Sequence, residues 1–445
     1  MKKAFCVFLA IVLFLASSLS VFALSGDSLF ITSAKTPTTF ADYTYIKKFG
    51  SGYKSAPTPP TVVQSTILVV SGVKLYKLNA QTGEEISSVK MQGSTLYSTV
   101  APLFADGKVF VSLDGGIVQA FDFETLSPLW IYQDSLGGQA LCPIVYNNGC
   151  VYTGFWNDET EFANYVCLTA EDENTESDCE NKEAQWAHKE LGGFYWAGCY
   201  VNDKVVIFGK DDGQKNSNGK SKIISLNKLS GELVSSLDVE GDIRSGIFYS
   251  EETDSCYTSS KAGYVYKFSV DSSGKLSSLI TYSAGGSVTA TPVVYGERLY
   301  VGCQKNASGE FVVLDANTME EIYTCEMPGF PQASMLVSNG YEKETGKIYV
   351  YSTYNKKPGG ILVFEDSKNQ TSAVKTELYS PDASASQYCI STVSASENGT
   401  IYYKNDSGNI FALREQSEGF QLFLKKLIYE IKCLLERIAA LFAKV

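Results

Sequence analysis

One histidine, His188, is all that 445 residues offer for imidazole chemistry. A multi-histidine metal centre is excluded, and a Ser–His–Asp relay has a single candidate base. His188 lies in AQWAHKE, a strand-like stretch, which favours a structural or surface role over catalysis. Paired-carboxylate hydrolysis stays open, because no pair can be chosen from spacing alone. Residues 172–181, DENTESDCEN, place oxygen donors at alternate positions: Asp172, Asn174, Glu176, Asp178 and Glu180. Hard cations such as calcium prefer such ligands, yet the glycine and terminal glutamate of an EF-hand are missing. A solvated acidic loop is the competing reading. Aromatic residues give a stronger lead. Phe155 and Trp156 stand in GFWNDE, Phe194, Tyr195 and Trp196 in GGFYWAG, and Asp242 and Arg244 in GDIRSG. Clustered aromatics beside charges suit stacking on a sugar or a peptide; packing between neighbouring elements is the alternative.

The ends of the chain differ from its middle. Lys2 and Lys3 precede an apolar run, and Val21 and Ala23 supply a small-residue cleavage site, so residues 1–23 read as a signal peptide. An uncleaved anchor is the other reading of that run. Cys6 begins the run rather than ending it, so it is no lipoprotein cysteine. Residues 24–41 follow as a linker. The chain carries 37 basic against 49 acidic side chains, with two of the lysines in the leader. This balance would repel a phosphate backbone, and no basic patch stands against it, which excludes nucleic acid as a partner. Of the 11 cysteines, none forms a CxxC motif. Cys142, Cys150, Cys167, Cys199, Cys303 and Cys389 lie in apolar, strand-like surroundings and behave there as small buried hydrophobes. Export permits a disulfide, but the spacing names no pair.

What positions the aromatics is a repeat. GVKLYKLNAQTGEE (residues 72–85) returns as GIVQAFDFETLSPLW (116–130), KIISLNKLSGEL (222–233), GYVYKFSVDSSGKL (263–276) and GEFVVLDANTMEEI (309–322). Each carries a strand apolar on both faces, as a strand sandwiched between layers must be. A turn follows, built on an Asx residue and a hydroxyl three positions later: Asn79/Thr82, Asp122/Thr125, Asn227/Ser230 and Asp315/Thr318. Two shorter strands precede each hairpin, giving four antiparallel strands per unit. Units begin near Pro60, Pro102, Pro143, Gly198, Gly246, Pro292, Met335 and Ser391, about 40–60 residues apart, the spacing of propeller blades. The eighth unit lacks its fourth strand, and DYTYIKKFG (42–50) is a strand without partners. The expectation is an all-β, eight-bladed propeller over residues 42–416, closed by that N-terminal strand.

The LDxxTGE-like repeat resembles the quinoprotein-like propellers built from PQQ repeats, over nearly the whole chain after the leader. That family joins quinone-dependent alcohol dehydrogenases with non-enzymatic scaffolds such as the outer-membrane assembly lipoprotein BamB. The resemblance makes Trp130 and Trp186 docking residues that brace neighbouring blades; most other blades lack the tryptophan. It also implies that a dehydrogenase would carry adjacent cysteines, a tryptophan against the quinone and calcium ligands. No adjacent cysteines occur, so the non-enzymatic branch is expected, with no PQQ and calcium only as the weak case above.

Residues 417–445 read as an amphipathic C-terminal helix. Gln421, Lys425, Lys432, Glu436 and Lys444 form its polar stripe, and the opposite face is broadly apolar. Its uncharged runs are too short to span a bilayer. That face must be buried on the propeller, on a partner or second copy, or at a membrane interface. The expected function is that of a secreted, non-catalytic propeller that binds a protein or glycan at its rim and is associated with the cell surface through residues 419–445. An extracellular enzyme acting on carbohydrate through the rim, and an assembly scaffold, are the alternatives.

Overall fold

The computed structural model describes residues 30–53, 55–95, 99–216 and 219–414. The expected signal peptide and C-terminal helix lie outside them. Eight sheets follow one another around a ring, each built on four antiparallel strands and two carrying a fifth, parallel strand; the four run from the axis outward in chain order except in the last. Their innermost strands are Thr61–Val63, Leu103–Ala105, Val145–Asn147, Tyr200–Val201, Phe248–Ser250, Val293–Tyr295, Leu336–Ser338 and Ser394–Ala395. These define blades one to eight.

Blade eight holds Ser394–Ala395, Ile401–Lys404 and Asn409–Arg414 from the end of the chain. Its outermost strand is Asp42–Lys48, antiparallel to Asn409–Arg414 with Lys48 opposite Asn409. The ring therefore closes by hydrogen bonds between the two ends of the described chain. This removes the free edge that a three-stranded blade would expose.

Both faces of the middle strands are apolar because each blade is packed on two sides. The buried clusters follow the seams in order. Leu68, Val70 and Leu75 of blade one meet Val109, Val111 and Phe121 of blade two. Later seams join blades two and three, three and four, four and five, five to seven, and seven and eight. Ile67 and Val69 then meet Tyr402 and Ile410, which returns the core to blade one.

Polar bonds across the seams explain why the repeat looks degenerate. Trp130 Nε1 donates to the Ala170 carbonyl at 3.1 Å, and Trp186 Nε1 to the Lys228 carbonyl at 2.9 Å. Each carbonyl lies just past the third strand of the next blade. Elsewhere other donors do the same work: Lys77 to Phe123, Tyr257 to Ala316, and Tyr402 to Ala80. What recurs is a donor aimed at that carbonyl, and the residue type varies.

The Asx turns form as expected, with Asn79 Oδ1 accepting the Gln81 and Thr82 N–H groups at 2.8 and 3.1 Å. The fourth position after each Asx is left-handed: Gly83 at φ 70°, Leu126 at 57°, Gly231 at 69° and Met319 at 63°. At Gly83 a Cβ would stand 2.6 Å from the Tyr45 ring, and at Gly231 2.7 Å from the Trp186 ring. Glycine occupies these two positions because an aromatic from the preceding blade lies on them. Leu126 and Met319 accept the unfavourable φ and are themselves buried.

Two features depart from the sequence reading. Within the expected linker, Ile31–Thr32 forms a strand that pairs parallel with Leu336–Ser338 on the axial side of blade seven. Phe30 reaches the axis, 6.3 Å from the Phe248 ring. The acidic insertion of blade three also contributes a strand, Glu180–Lys182, parallel to Pro128–Gln133 on the outer edge of blade two.

Candidate functional site

In a four-stranded blade the loops joining strands two and three, and those joining blade to blade, emerge at the same end. That end collects the expected rim residues. Trp156 comes from the two–three loop of blade three, Tyr195 and Trp196 from the link between blades three and four, and Asp242 and Arg244 from the link between four and five. The Trp156 and Tyr195 rings meet edge to face at 5.3 Å, and Tyr195 meets Trp196 at 4.9 Å. The Arg244 guanidinium lies 4.5 Å from the Tyr195 ring centre. Five of the six expected residues thus cluster at one end, with Asp242 itself buried there at 1% exposure.

Phe155 is the exception. It is fully buried with Val118, Trp130 and Val151 in the seam between blades two and three. Strand alternation sends Phe155 inward and its neighbour Trp156 toward the rim. Phe194 is likewise buried, 5.0 Å from Tyr165 and 5.3 Å from Phe208.

Three residues that the sequence reading passed over hold the surface together. Asp211 follows the second strand of blade four and accepts two hydrogen bonds from Arg244 Nε, at 3.2 and 3.1 Å, and one from Nη2 at 2.7 Å. It also accepts the Trp156 indole N–H at 3.2 Å. Glu159 accepts from Arg244 Nη2 at 3.2 Å and from the Asn216 backbone N–H at 2.7 Å. Lys261, from blade five, lies 3.8 Å from Glu159 and 3.9 Å from Asp242. The signal for Glu159 and Asp211 was their place in two–three loops, which open on the same end as the aromatics.

Burial pushes the Asp211 carboxyl up to about 7, against the lowering pull of Arg244. Burial also raises Asp242, whose Oδ1 accepts the Asp212 N–H at 2.7 Å. The Asn216 N–H holds Glu159 below the usual carboxylate range, with Arg244 adding to it. Asp211, Glu159 and Asp242 gather around Arg244 beside the aromatics. Arg244 bonds both oxygens of Asp211 and approaches Asp242 at 3.7 Å.

Trp196 faces the axis. Its Nε1 donates to Thr99 Oγ1 at 3.2 Å, and its backbone is left-handed at φ 56°. A cavity of about 100 Å³ at this mouth is lined by Phe30, Thr99, Val100, Pro143, Thr289 and Gln332 beside Trp196. Below it, a cavity of about 210 Å³ follows the axis past Pro60, Val62, Pro102 and Val393. Neither lining contains a carboxylate among the described residues, and the side-chain donors are hydroxyls, one amide and the Trp196 indole. They do not fit a cation-bound quinone.

The acidic insertion is organised around a lysine. Lys182 Nζ donates to the Glu171 carbonyl at 2.7 Å and to Glu173 at 3.1 Å, and lies 3.0 Å from Glu180 Oε1. Glu180 Oε2 in turn accepts the Glu173 and Asn174 N–H groups. The structure brings no cation-binding group of three or more carboxylate, cysteine or histidine ligands together among the described residues. His188 Nε2 lies 3.0 Å from Glu190 Oε1, which also pairs through its other oxygen with Lys210 at 3.2 Å.

A family model described as outer membrane protein assembly factor BamB matches residues 17–153. No curated protein matches the chain. Among solved structures, BamB from Moraxella catarrhalis superposes with a TM-score of 0.54 at 11% identity, covering 84% of this chain and 99% of that one. The quinohemoprotein alcohol dehydrogenase from Comamonas testosteroni gives 0.63 at 11%, covering 87% and 80%. The computationally designed protein Ika8 gives 0.56 at 13%, covering 83% and 99%. Residues 17–153 carry the family match, and the solved structures share the β-propeller fold with the chain. At these identities the structural likeness defines the fold and leaves the ligand to the site itself.

Proposed function

We propose that this chain is an exported, non-catalytic propeller that docks a partner protein on the rim formed by Trp156, Tyr195, Trp196, Asp242 and Arg244. The observation that carries the reading is Trp196. A bulky residue at φ 56° costs on the order of 1–3 kcal/mol, and such outliers cluster at functional sites. Here the cost keeps a half-buried indole beside the axial mouth, next to a second half-buried tryptophan and an arginine fixed by Asp211. Tryptophan, tyrosine and arginine are the residue types that anchor protein interfaces. The amphipathic pattern of residues 419–445 supports attachment to a surface as part of the same role.

A peptide array and a glycan array, each probed with the full-length chain and its W156A and W196A variants, test the reading. Peptide spots lost in both variants support it, and glycan spots with the same dependence would replace the protein partner with a sugar. The non-catalytic part has its own test. Addition of pyrroloquinoline quinone and calcium is expected to give no saturable absorbance change and no alcohol-dependent dye reduction; turnover would overturn it.

A further inference from the structure

Blade three holds two thiols that rim binding leaves unused. Cys150 opens its second strand, Cys150–Gly154, and Cys167 lies near the end of its third, Phe162–Thr169. Cys150 stands opposite Thr169, and Tyr152 opposite Cys167. The two cysteines are therefore diagonal neighbours on one face of the sheet. Both sulfurs lie against one amide oxygen, Gln185 Oε1, at 3.7 Å from Cys150 and 3.5 Å from Cys167. Cys150 is half-buried, whereas Cys167 is fully buried.

We propose that Cys150 and Cys167 form a modification site, a dithiol that exchanges with an external small-molecule disulfide and closes into a reversible cross-strand disulfide. Cys150 is the attacking thiol because only it reaches solvent. A hydrogen bond from Cys167, with a smaller contribution from the Lys228 charge, lowers the Cys150 thiol below its ordinary range and favours the thiolate there. The Cys150 thiolate attacks one sulfur of the external disulfide, whose S–S bond breaks and releases a first thiolate. That thiolate takes the proton of Cys167. The Cys167 sulfur then attacks Cys150, and the second external thiolate leaves and is protonated by water. The protein dithiol has lost two electrons, and the external disulfide has gained them as two thiols.

Diagonal partners stand about 7–8 Å apart at Cα, somewhat wider than a relaxed disulfide allows. Cys150 can give way because it follows a turn, with Asn148 at φ 46° and Gly149 at φ 80°, and Gly149 has open space around it. A bond closed under such strain is readily reduced, which makes the modification reversible. Cys142 and Cys199, in the same seam as Cys167, are buried and provide internal controls.

The test incubates the full-length protein in glutathione buffers of rising oxidised fraction, quenches it in acid, alkylates it unfolded in denaturant, then digests and maps it by mass spectrometry. The expected product is a Cys150–Cys167 linked peptide that reduced glutathione reverses, with Cys142 and Cys199 still alkylated. The C167S variant is expected to stop at a single glutathione adduct on Cys150. A wild-type protein that also stops at that adduct, that links Cys150 to another cysteine, or that leaves Cys150 unmodified would overturn the proposal. The wild-type mapping decides the matter even if C167S fails to fold.

Discussion

Trp196 and Trp130 are both tryptophans near blade seams, yet the physics assigns them opposite duties. Trp130 is fully buried and fills the seam between blades two and three. Truncation to alanine there is expected to cost about 3–5 kcal/mol of stability, as for other buried aromatics. Trp196 is half-buried, and alanine there keeps the same Cβ at positive φ, so W196A loses only partly exposed indole contacts and should cost about 1 kcal/mol. Urea unfolding of both variants checks the contrast; equal large losses would make Trp196 a packing residue. Asp211 adds a pH signature. Its folded carboxyl, near 7, binds a proton more tightly than an unfolded aspartate at about 3.9. The stability it contributes is full below about pH 4 and is lost as pH rises through about 7. The stability of wild type minus that of Asp211→Asn should therefore fall between pH 5 and pH 8. A difference that stays flat or rises would contradict the assignment.

At the scale of elements, the missing fourth strand of the last unit was legible because a four-strand repeat that stops at three must borrow a strand. Removal of residues 42–48 should expose the edge of Asn409–Arg414 and give a protein that aggregates at temperatures where the full chain is monodisperse; light scattering on heating reports it. Gly83→Ala is a gentler test of the same closure. It forces φ 70° on a residue with a Cβ and drives that Cβ into the Tyr45 ring, at an expected cost of about 2–4 kcal/mol. An unchanged melting temperature would show that Tyr45 does not dock there. The turns, the blade starts and Trp130 and Trp186 were readable because each rests on local chemistry repeated several times. The donors Lys77, Tyr257 and Tyr402 were not, since three residue types can reach the same carbonyl. Phe155 was misplaced because one step along a strand reverses the face, and spacing alone does not fix which of two adjacent aromatics points inward. Asp211 and Glu159 gained meaning only when three blades placed them around Arg244.

The whole molecule is a ring whose core runs through every seam, so no blade is an independent unit and binding surfaces form where loops from several blades converge. Residues 419–445, outside the described residues, are rich in large apolar side chains in sequence, each worth roughly 1.5–3 kcal/mol on full burial. If a membrane interface takes them, full-length protein should sediment with anionic vesicles, deletion of 419–445 should abolish it, and charge reversal at Lys425 and Lys432 should weaken it. A full-length monomer that ignores vesicles would refute surface attachment. The rim is the central claim, and calorimetric titration with the strongest peptide from the array tests it most directly. W156A and W196A should each weaken binding by about 1–3 kcal/mol, or roughly 5- to 150-fold, while their melting temperatures stay near that of the parent. Undiminished affinity in both variants, with the fold intact, would contradict it.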